Sequence, residues 1–310
     1  MLPVLIVCYL RPADLRNLLE EIPEPSRRIY IFIDGAFDNN HELNLQVLQV
    51  AKDYETKMNL KILHSEFNLG VGLGVPKAID WISSYENAFI VLEDDCHLNS
   101  AGYGFLDSAI NLISANVTIV SATSPWDLDG GQSKIERNTL SNYPLISGWA
   151  TTSENWKEMS TFINSEVSMV RVLWKCIQQP RKGAALGFFL AAQIKVQRKR
   201  TQAWDCSVAL WMLIHDKKAL IPNVTMVTNT GRDQAASHTK QIIGQSAIFR
   251  LASASVPSAT FSFSEKDKML TNRTIEKSLY GMRLRNIFSP IKAYVSSVLP
   301  NPYRPPTTSQ

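Results

Sequence analysis

Short apolar runs alternate along the N-terminal part of the chain with longer segments in which apolar residues recur at helical spacing. Residues 3–9 are a continuous apolar run, which suits a strand covered on both faces. Arg11, Pro12, Ala13 and Asp14 open a helix with proline near its first turn, and Leu15, Leu18, Leu19 and Ile22 supply its buried face. Residues 29–33 read as a second strand, ended by a turn at Asp34 and Gly35. Leu43, Val47, Leu48 and Ala51 mark a second helix, residues 60–64 a third strand, residues 76–84 a third helix and residues 88–92 a fourth strand. Strands alternating with helices predict a mostly parallel sheet in an α/β fold.

The pattern is less regular further on. Residues 118–122 read as a fifth strand, and residues 126–141, rich in Asp, Gly, Ser and Asn, as a loop. A helix is predicted over 156–173 and another over 206–215, the latter preceded by a basic stretch at 195–200 and by Trp204 and Asp205. A short strand follows at 219–222, then a polar loop through His238. Past Leu251 the composition turns to Ser, Thr, Lys and Pro. The expected organisation is therefore one domain over residues 1–250, with a donor half at 1–100 and an acceptor half at 101–250. Residues 251–310 would form a polar linker and an amphipathic C-terminal tail. In that tail Leu284, Ile287, Phe288, Ile291, Val295, Val298 and Leu299 recur at helical spacing, with Arg283, Arg285 and Lys292 among them and a kink at Pro290. Two readings stand for 282–299: a terminal helix docked on the domain, or an interfacial helix lying on an anionic membrane.

Composition narrows the class. The chain has 310 residues, 45% hydrophobic and 19% charged, which is ordinary for a globular protein large enough to bury its core without staples. A formal net charge of +4 gives no case for a nucleic-acid partner. Cys8, Cys96, Cys176 and Cys206 show no CxxC spacing, so reduced thiols in a cytoplasmic setting are expected. The apolar runs at 2–10 and 183–192 are too short to span a bilayer, so the protein is expected to be soluble or peripheral on the inner face of the plasma membrane.

The candidate chemistry gathers where strands end. Glu93, Asp94 and Asp95 follow an apolar strand directly, and open α/β sheets bind ligands at the carboxyl ends of their strands. Adjacent carboxylates repel one another unless something cationic neutralises them. A hard divalent ion does so with few protein oxygens when phosphates and water complete its shell; the competing reading is a solvated acidic turn. Asp205 admits general-base and helix N-cap roles. His238 admits a metal- or diphosphate-binding role and plain exposure. Arg11 follows the first strand as a phosphate fork or a surface residue. Asp34 is a nucleoside acceptor or an Asx-type turn. Asn68, Gly70, Gly72 and Gly74 resemble a phosphate-binding glycine loop, without the spacing of a P-loop or of GxGxxG.

The order of these segments, from Pro3 to Thr239, resembles bacterial glycosyltransferase-like proteins related to the Golgi N-acetylglucosaminyltransferase that starts complex N-glycan synthesis. The opening strand with Arg11, the acid Asp34, the triplet Glu93-Asp94-Asp95 and the pair Trp126-Asp127 carry the likeness. So do the Gly148-Trp149-Ala150 segment with Trp156, the pair Trp204-Asp205, and the closing Ser237-His238-Thr239. At the base motif the Golgi enzyme has Trp-Asp-Asp, whereas this chain has Trp204-Asp205-Cys206, which leaves one acid there.

The resemblance implies a GT-A, Rossmann-like α/β/α sandwich with a mixed central sheet. It implies transfer of a sugar from a nucleotide-diphosphate donor, a UDP-sugar first, to a hydroxyl of a glycan or lipid-linked acceptor, with inversion. Mn2+ or Mg2+ would sit on Asp95, with His238 as a second ligand. Arg11, Asp34, Asn68, Gly70, Glu93 and Asp94 would contact the donor. Asp205 would act as base, and Trp126, Asp127, Trp149 and Trp204 would lie on the acceptor side. The rival readings are a non-catalytic nucleotide- or glycan-binding relative, and a sugar nucleotidyltransferase.

Overall fold

The computed structural model describes residues 1–125, 137–165, 167–178, 183–197, 203–230, 261–262 and 264–278. The alternating pattern of the N-terminal part folds as its periodicity dictates. Strands β1 (Val4–Cys8), β2 (Ile29–Ile33), β3 (Leu60–His64) and β4 (Ala88–Glu93) are parallel and are linked by helices α1 (Pro12–Glu21), α2 (His41–Tyr54) and α3 (Val71–Ser83). Their order across the sheet is β3-β2-β1-β4, so the winding direction reverses between β1 and β4.

Beyond β4 the chain forms β5 (Cys96–Leu98), α4 (Ser100–Ala109), β6 (Val117–Ser121), β7 (Asn138–Ser141) and β8 (Trp149–Thr152). Helices α5 (Ser153–Asn164), α6 (Met169–Gln178), α7 (Gly183–Gln197) and α8 (Trp204–Ile214) follow, then β9 (Lys218–Ile221) and β10 (Val227–Asn229). Strand β8 lies antiparallel between β4 and β6. The main sheet continues β4-β8-β6-β9-β7-β11, the last strand being β11 (Phe261–Ser262), and is nine-stranded and mixed. Strands β5 and β10 make a separate antiparallel pair.

Successive side chains of a strand point to opposite faces, and two cores result. Val4, Ile6, Cys8, Ile31 and Ile90 meet α1, α2 and α4 on one face. Leu5, Tyr30, Phe32, Phe89 and Val91 meet α3, α5, α7 and α8 on the other. The architecture is thus the expected α/β/α sandwich around a mixed sheet. Helix α8 is buried from Ser207 to Ile214, because it runs between the sheet and its neighbours α5 and α7.

Several local expectations are revised. The third helix starts at Val71 rather than at residue 76, because Gly70 adopts φ +67° and lets its carbonyl accept from Leu73 and Gly74. In α2 the buried face is Asn44, Val47, Ala51 and Tyr54, and Leu43 is exposed. The segment taken as loop up to residue 141 ends in strand β7. The helix expected over 156–173 is two helices, broken after Asn164.

The boundary expected at 251 does not close the fold. Strand β11 pairs with β7, and α9 (Glu265–Ser278) packs on β7 through a fully buried Ile275. Asn272 exchanges hydrogen bonds with Asn142, and the Tyr143 hydroxyl donates to Glu276. The tail at 282–299 and the loop residue His238 lie outside the described residues, as do Trp126 and Asp127. Among the described residues no helix is long and apolar enough to cross a membrane.

Candidate active site

The point where the winding reverses, between β1 and β4, is where an open α/β sheet leaves a crevice at its carboxyl edge. The register sets Val7 beside Glu93, so the residues that follow the two strands face each other: Tyr9, Arg11 and Asp14 from one side, Asp94 and Asp95 from the other. Nη1 of Arg11 donates to Oδ2 of Asp95 at 2.7 Å and lies 3.6 Å from Oδ1 of Asp94. The Tyr9 N–H donates to Oδ2 of Asp94 at 3.2 Å.

Pairing of β10 with β5 closes the other side, opposing Asn229 to Cys96. Nδ2 of Asn229 and the Cys96 thiol each donate to Oδ1 of Asp95 at 3.3 Å. The Thr230 N–H donates to the Asp95 carbonyl at 2.9 Å. Asn229 and Thr230 lie in the segment expected to be a polar loop through His238. What the sequence did not show is that β10 returns to β5, because a three-residue strand carries little periodicity.

The acids are held in a costly state. Burial pushes Glu93 up to about 8, with repulsion from Asp95, Asp94 and Asp205 adding to it and Arg11 relieving part. Burial and then Asp95 push Asp94 up to about 7, against the Tyr9 N–H and Arg11. Asp205, the base candidate at the start of α8, is among the charges that repel Glu93. Asp205 is not an N-cap: the helix begins at Trp204, the capping position is Ala203, and Asp205 sits in the first turn. Its carboxyl is raised, chiefly by burial, with the Cys206 N–H and its own N–H opposing. A helix N-terminus favours negative charge at that place.

Asp34, Asn68 and Gly70 form a second, adjacent cluster with a different logic. Oδ1 of Asp34 accepts from the N–H groups of Gly35 (3.0 Å) and Leu69 (2.9 Å), and Oδ2 accepts from Gly70 (2.9 Å). Nδ2 of Asn68 donates to the Gly35 carbonyl at 2.7 Å. Gly35 is required here, since a Cβ would stand 2.5 Å from the Phe67 carbonyl carbon. Asp34 and Gly70, expected to contact the donor, thus have a structural part. The glycine loop already has its anion, Asp34, and these residues clasp the loop after β3 to the loop after β2. Asn44, missed in the sequence, anchors the clasp by donating to the Tyr9 and Asp34 carbonyls. Its signal was a polar residue at the i−3 and i−7 positions of Val47 and Ala51.

Trp149 and Trp204, expected on the acceptor side, are 1% and 4% exposed. Their rings pack 6.4 Å apart, and Trp156 stands edge-on to Trp204 at 6.3 Å with its N–H given to Asp80. The indoles are a floor beneath the Asp205 end of α8, not a contact surface, because β8 carries Trp149 into the centre of the sheet.

Among the described residues no group of three or more His, Cys, Asp and Glu side chains encloses a metal by itself. The triplet nevertheless offers a hard cation carboxylate oxygens, and burial, then the neighbouring acids, raises the proton affinity of Glu93 and Asp94. A guanidinium stands on Asp95 in place of such a charge.

No family model matches the chain, and no curated protein matches it. Solved structures do share the fold at low identity. The mannosyltransferase PcManGT from Pyrobaculum calidifontis, solved with GDP-Man and Mn2+, is 10% identical over 68% of this chain and 74% of that one, with a TM-score of 0.37. The 4-diphosphocytidyl-2C-methyl-D-erythritol synthase from Anaerococcus prevotii is 9% identical over 54% and 78%, with a TM-score of 0.33. Mouse xyloside xylosyltransferase 1 in its apo form is 12% identical over 51% and 71%, with a TM-score of 0.29. The likeness to two nucleotide-sugar transferases and a nucleotidyltransferase is distant and one of fold. None of these comparisons supports the specific resemblance to the Golgi enzyme.

Proposed function

We propose that the chain is a metal-dependent glycosyltransferase acting on a nucleotide-diphosphate sugar, with inversion at the anomeric carbon. The observation that carries the reading is the acid triplet with Arg11 on Asp95 at the reversal point of the sheet; the charge of Asp205 acts on Glu93 there. Asp95, with Glu93 and Asp94 beside it, would hold Mn2+ or Mg2+, which supplies positive charge against the leaving diphosphate. Arg11 would pair with a phosphate oxygen once a cation has replaced it on Asp95. Asp205 would take the proton of the acceptor hydroxyl as its oxygen bonds to the anomeric carbon and the bond to the diphosphate breaks. A carboxyl raised toward neutrality suits that task.

The test is a panel of nucleotide sugars with Mn2+ and purified protein, scored for released nucleoside diphosphate. Asp95→Asn should abolish divalent-dependent release while the fold persists. Unchanged turnover of this variant in chelator would refute the metal assignment. Release of pyrophosphate would instead make the chain a nucleotidyltransferase, and nucleotide binding without turnover would make it a binder. For the acceptor, the amphipathic tail at 282–299 is the argument for a lipid-linked glycan. Sedimentation with anionic liposomes, using the full chain and one ending near residue 277, tests it.

A further inference from the structure

The loops after β2 and β3 present two aromatic rings to solvent. Phe37 is 63% exposed and Phe67 is 73% exposed, in a chain that buries Phe32, Phe89, Phe105 and Phe189. Phe67 does not ride on a slack loop. The β3 loop is fixed by Asp34 on the Leu69 and Gly70 N–H groups, by Asn68 on the Gly35 carbonyl, and by the Ser65 hydroxyl on the Phe67 carbonyl. Between them lies an open cleft of about 710 Å³ lined by Ala36, Phe37, Asn39, Glu66, Phe67 and Asn68.

The strand register gives the cleft its place relative to the acids. Val7 is level with Glu93, Cys8 with Ile33, and Ile33 with His64, so β4, β1, β2 and β3 end on one edge. The acid triplet follows β4 and the cleft follows β2 and β3. The offset is two to three strand spacings, about 10–14 Å. A ribose and its phosphate bridge such a gap between a base and a cation-bound second phosphate.

We propose that this cleft is the nucleobase subsite of the donor and that Glu66 selects guanine. The proposal rests on the transferase reading and names its nucleotide. Exposed rings suit a planar heteroaromatic partner, which stacks on aromatic side chains whatever its identity. Identity is then set by hydrogen bonds. Asp34 is a poor supplier of them, being 7% exposed and already accepting from three backbone N–H groups. Glu66 can supply them: an ionised carboxylate only accepts, and it accepts two parallel N–H bonds well. Guanine offers two adjacent donors, N1–H and the exocyclic amine. Uracil offers one N–H flanked by two carbonyls that would repel the carboxylate, and adenine and cytosine offer an amine beside an acceptor nitrogen. The preference departs from the uridine that the sequence resemblance implied.

The experiment is calorimetric titration of the full chain, in Mn2+, with GDP, UDP, ADP and CDP, repeated on Glu66→Gln, Phe67→Ala and Phe37→Ala. These side chains are exposed, so the variants should fold, and their melting curves check it. GDP should bind at least tenfold tighter than the others. Glu66→Gln should remove that preference by weakening GDP, and should leave UDP no weaker, since the carboxylate that repels the uracil carbonyls is gone. Each Phe→Ala change should weaken all four nucleotides, roughly tenfold. Equal affinities, a preference for UDP, or an unaffected Glu66→Gln would overturn the guanine assignment while the transferase reading stands. Failure of every nucleotide to bind would defeat both. If the wild-type chain, but not Phe67→Ala, sediments with phosphatidylcholine vesicles and nucleotide affinity ignores both rings, the rings are a lipid contact and the proposal falls.

Discussion

Arg11→Gln separates a structural acidic cluster from a cation site, because the two ideas give opposite signs. In the structure Arg11 and Asp95 are 16% and 17% exposed at the side chain, and Asp94 is 10% exposed. A charge-assisted hydrogen bond contributes about 1.5–3 kcal/mol, and breaking a fully buried pair from one side costs about 3–5 kcal/mol. The remaining solvent screening puts this pair near the low end, about 2 kcal/mol. In chelator the variant should therefore melt about 4–8 °C below the wild-type chain.

Adding Mn2+ should reverse the order of effects. In the wild-type chain a cation must compete with the guanidinium for Asp95; in the variant it need not. The affinity of the nucleotide-free protein for Mn2+ should rise by the same free energy, about 30-fold. Nucleoside diphosphate affinity in saturating Mn2+ should fall, since Arg11 is then missing from the phosphate. Electron paramagnetic resonance of free Mn2+ reads the first quantity, and calorimetry the second. The control is Asp95→Asn in the same background, which should remove the Mn2+ gain. Equal or weaker Mn2+ affinity in Arg11→Gln would refute the idea that Arg11 stands where a cation belongs.

Three further outcomes follow from the geometry. The folded-state values of Glu93 and Asp94, about 8 and about 7, lie above the ordinary 4.5 and 3.8, so the native state holds protons that the unfolded chain has released. In chelator this stability is complete below pH 4 and is lost as pH rises through about 7 and 8; Mn2+ should restore it at pH 8, and a flat melting profile in chelator would contradict the reasoning. Gly35→Ala would push a methyl to 2.5 Å from the Phe67 carbonyl carbon, and should destabilise by about 1–3 kcal/mol and weaken nucleotide binding, read by melting and calorimetry. Asp205→Asn should lower turnover about a hundredfold or more with donor affinity unchanged, and a loss below about threefold would leave Asp205 without a catalytic part.

What could be read in the sequence was what periodicity encodes over a long enough stretch. The strands over 4–8, 29–33, 60–64 and 88–93, and helix α1, carry their burial pattern openly. Strand β8 does not: Trp149–Thr152 is four residues long and buried on both faces as an antiparallel insertion, so it shows no alternation. Strand β7 is the polar run Asn138–Ser141, buried only because β9 and β11 flank it. The acid triplet was legible because it interrupts an apolar strand. The clasp around Asp34 was not, because its partners are backbone N–H groups as far as Gly70, and an amide leaves no mark on a sequence.

The two acidic features at the edge of the sheet show why a cation belongs at one and not the other. Asp34 accepts from its neighbour Gly35 and from two N–H groups, of Leu69 and Gly70, in the loop after β3; partial positive charge from the main chain opposes the burial that raises its carboxyl. The triplet follows a straight strand, whose amides are committed to the ladder with β1 and β8. Asp94 receives the Tyr9 N–H, and Asp95 is met by Arg11, Asn229 and the Cys96 thiol. The Arg11 guanidinium meets Asp95 and nears Asp94, while burial first, and then repulsion among the acids, raises Glu93 and Asp94. A fold that can satisfy a carboxylate with main chain, and does so one strand away, leaves this group to be completed from outside. A divalent ion with a diphosphate completes it without new protein ligands, since the phosphates bring their own oxygens and Arg11 answers their charge.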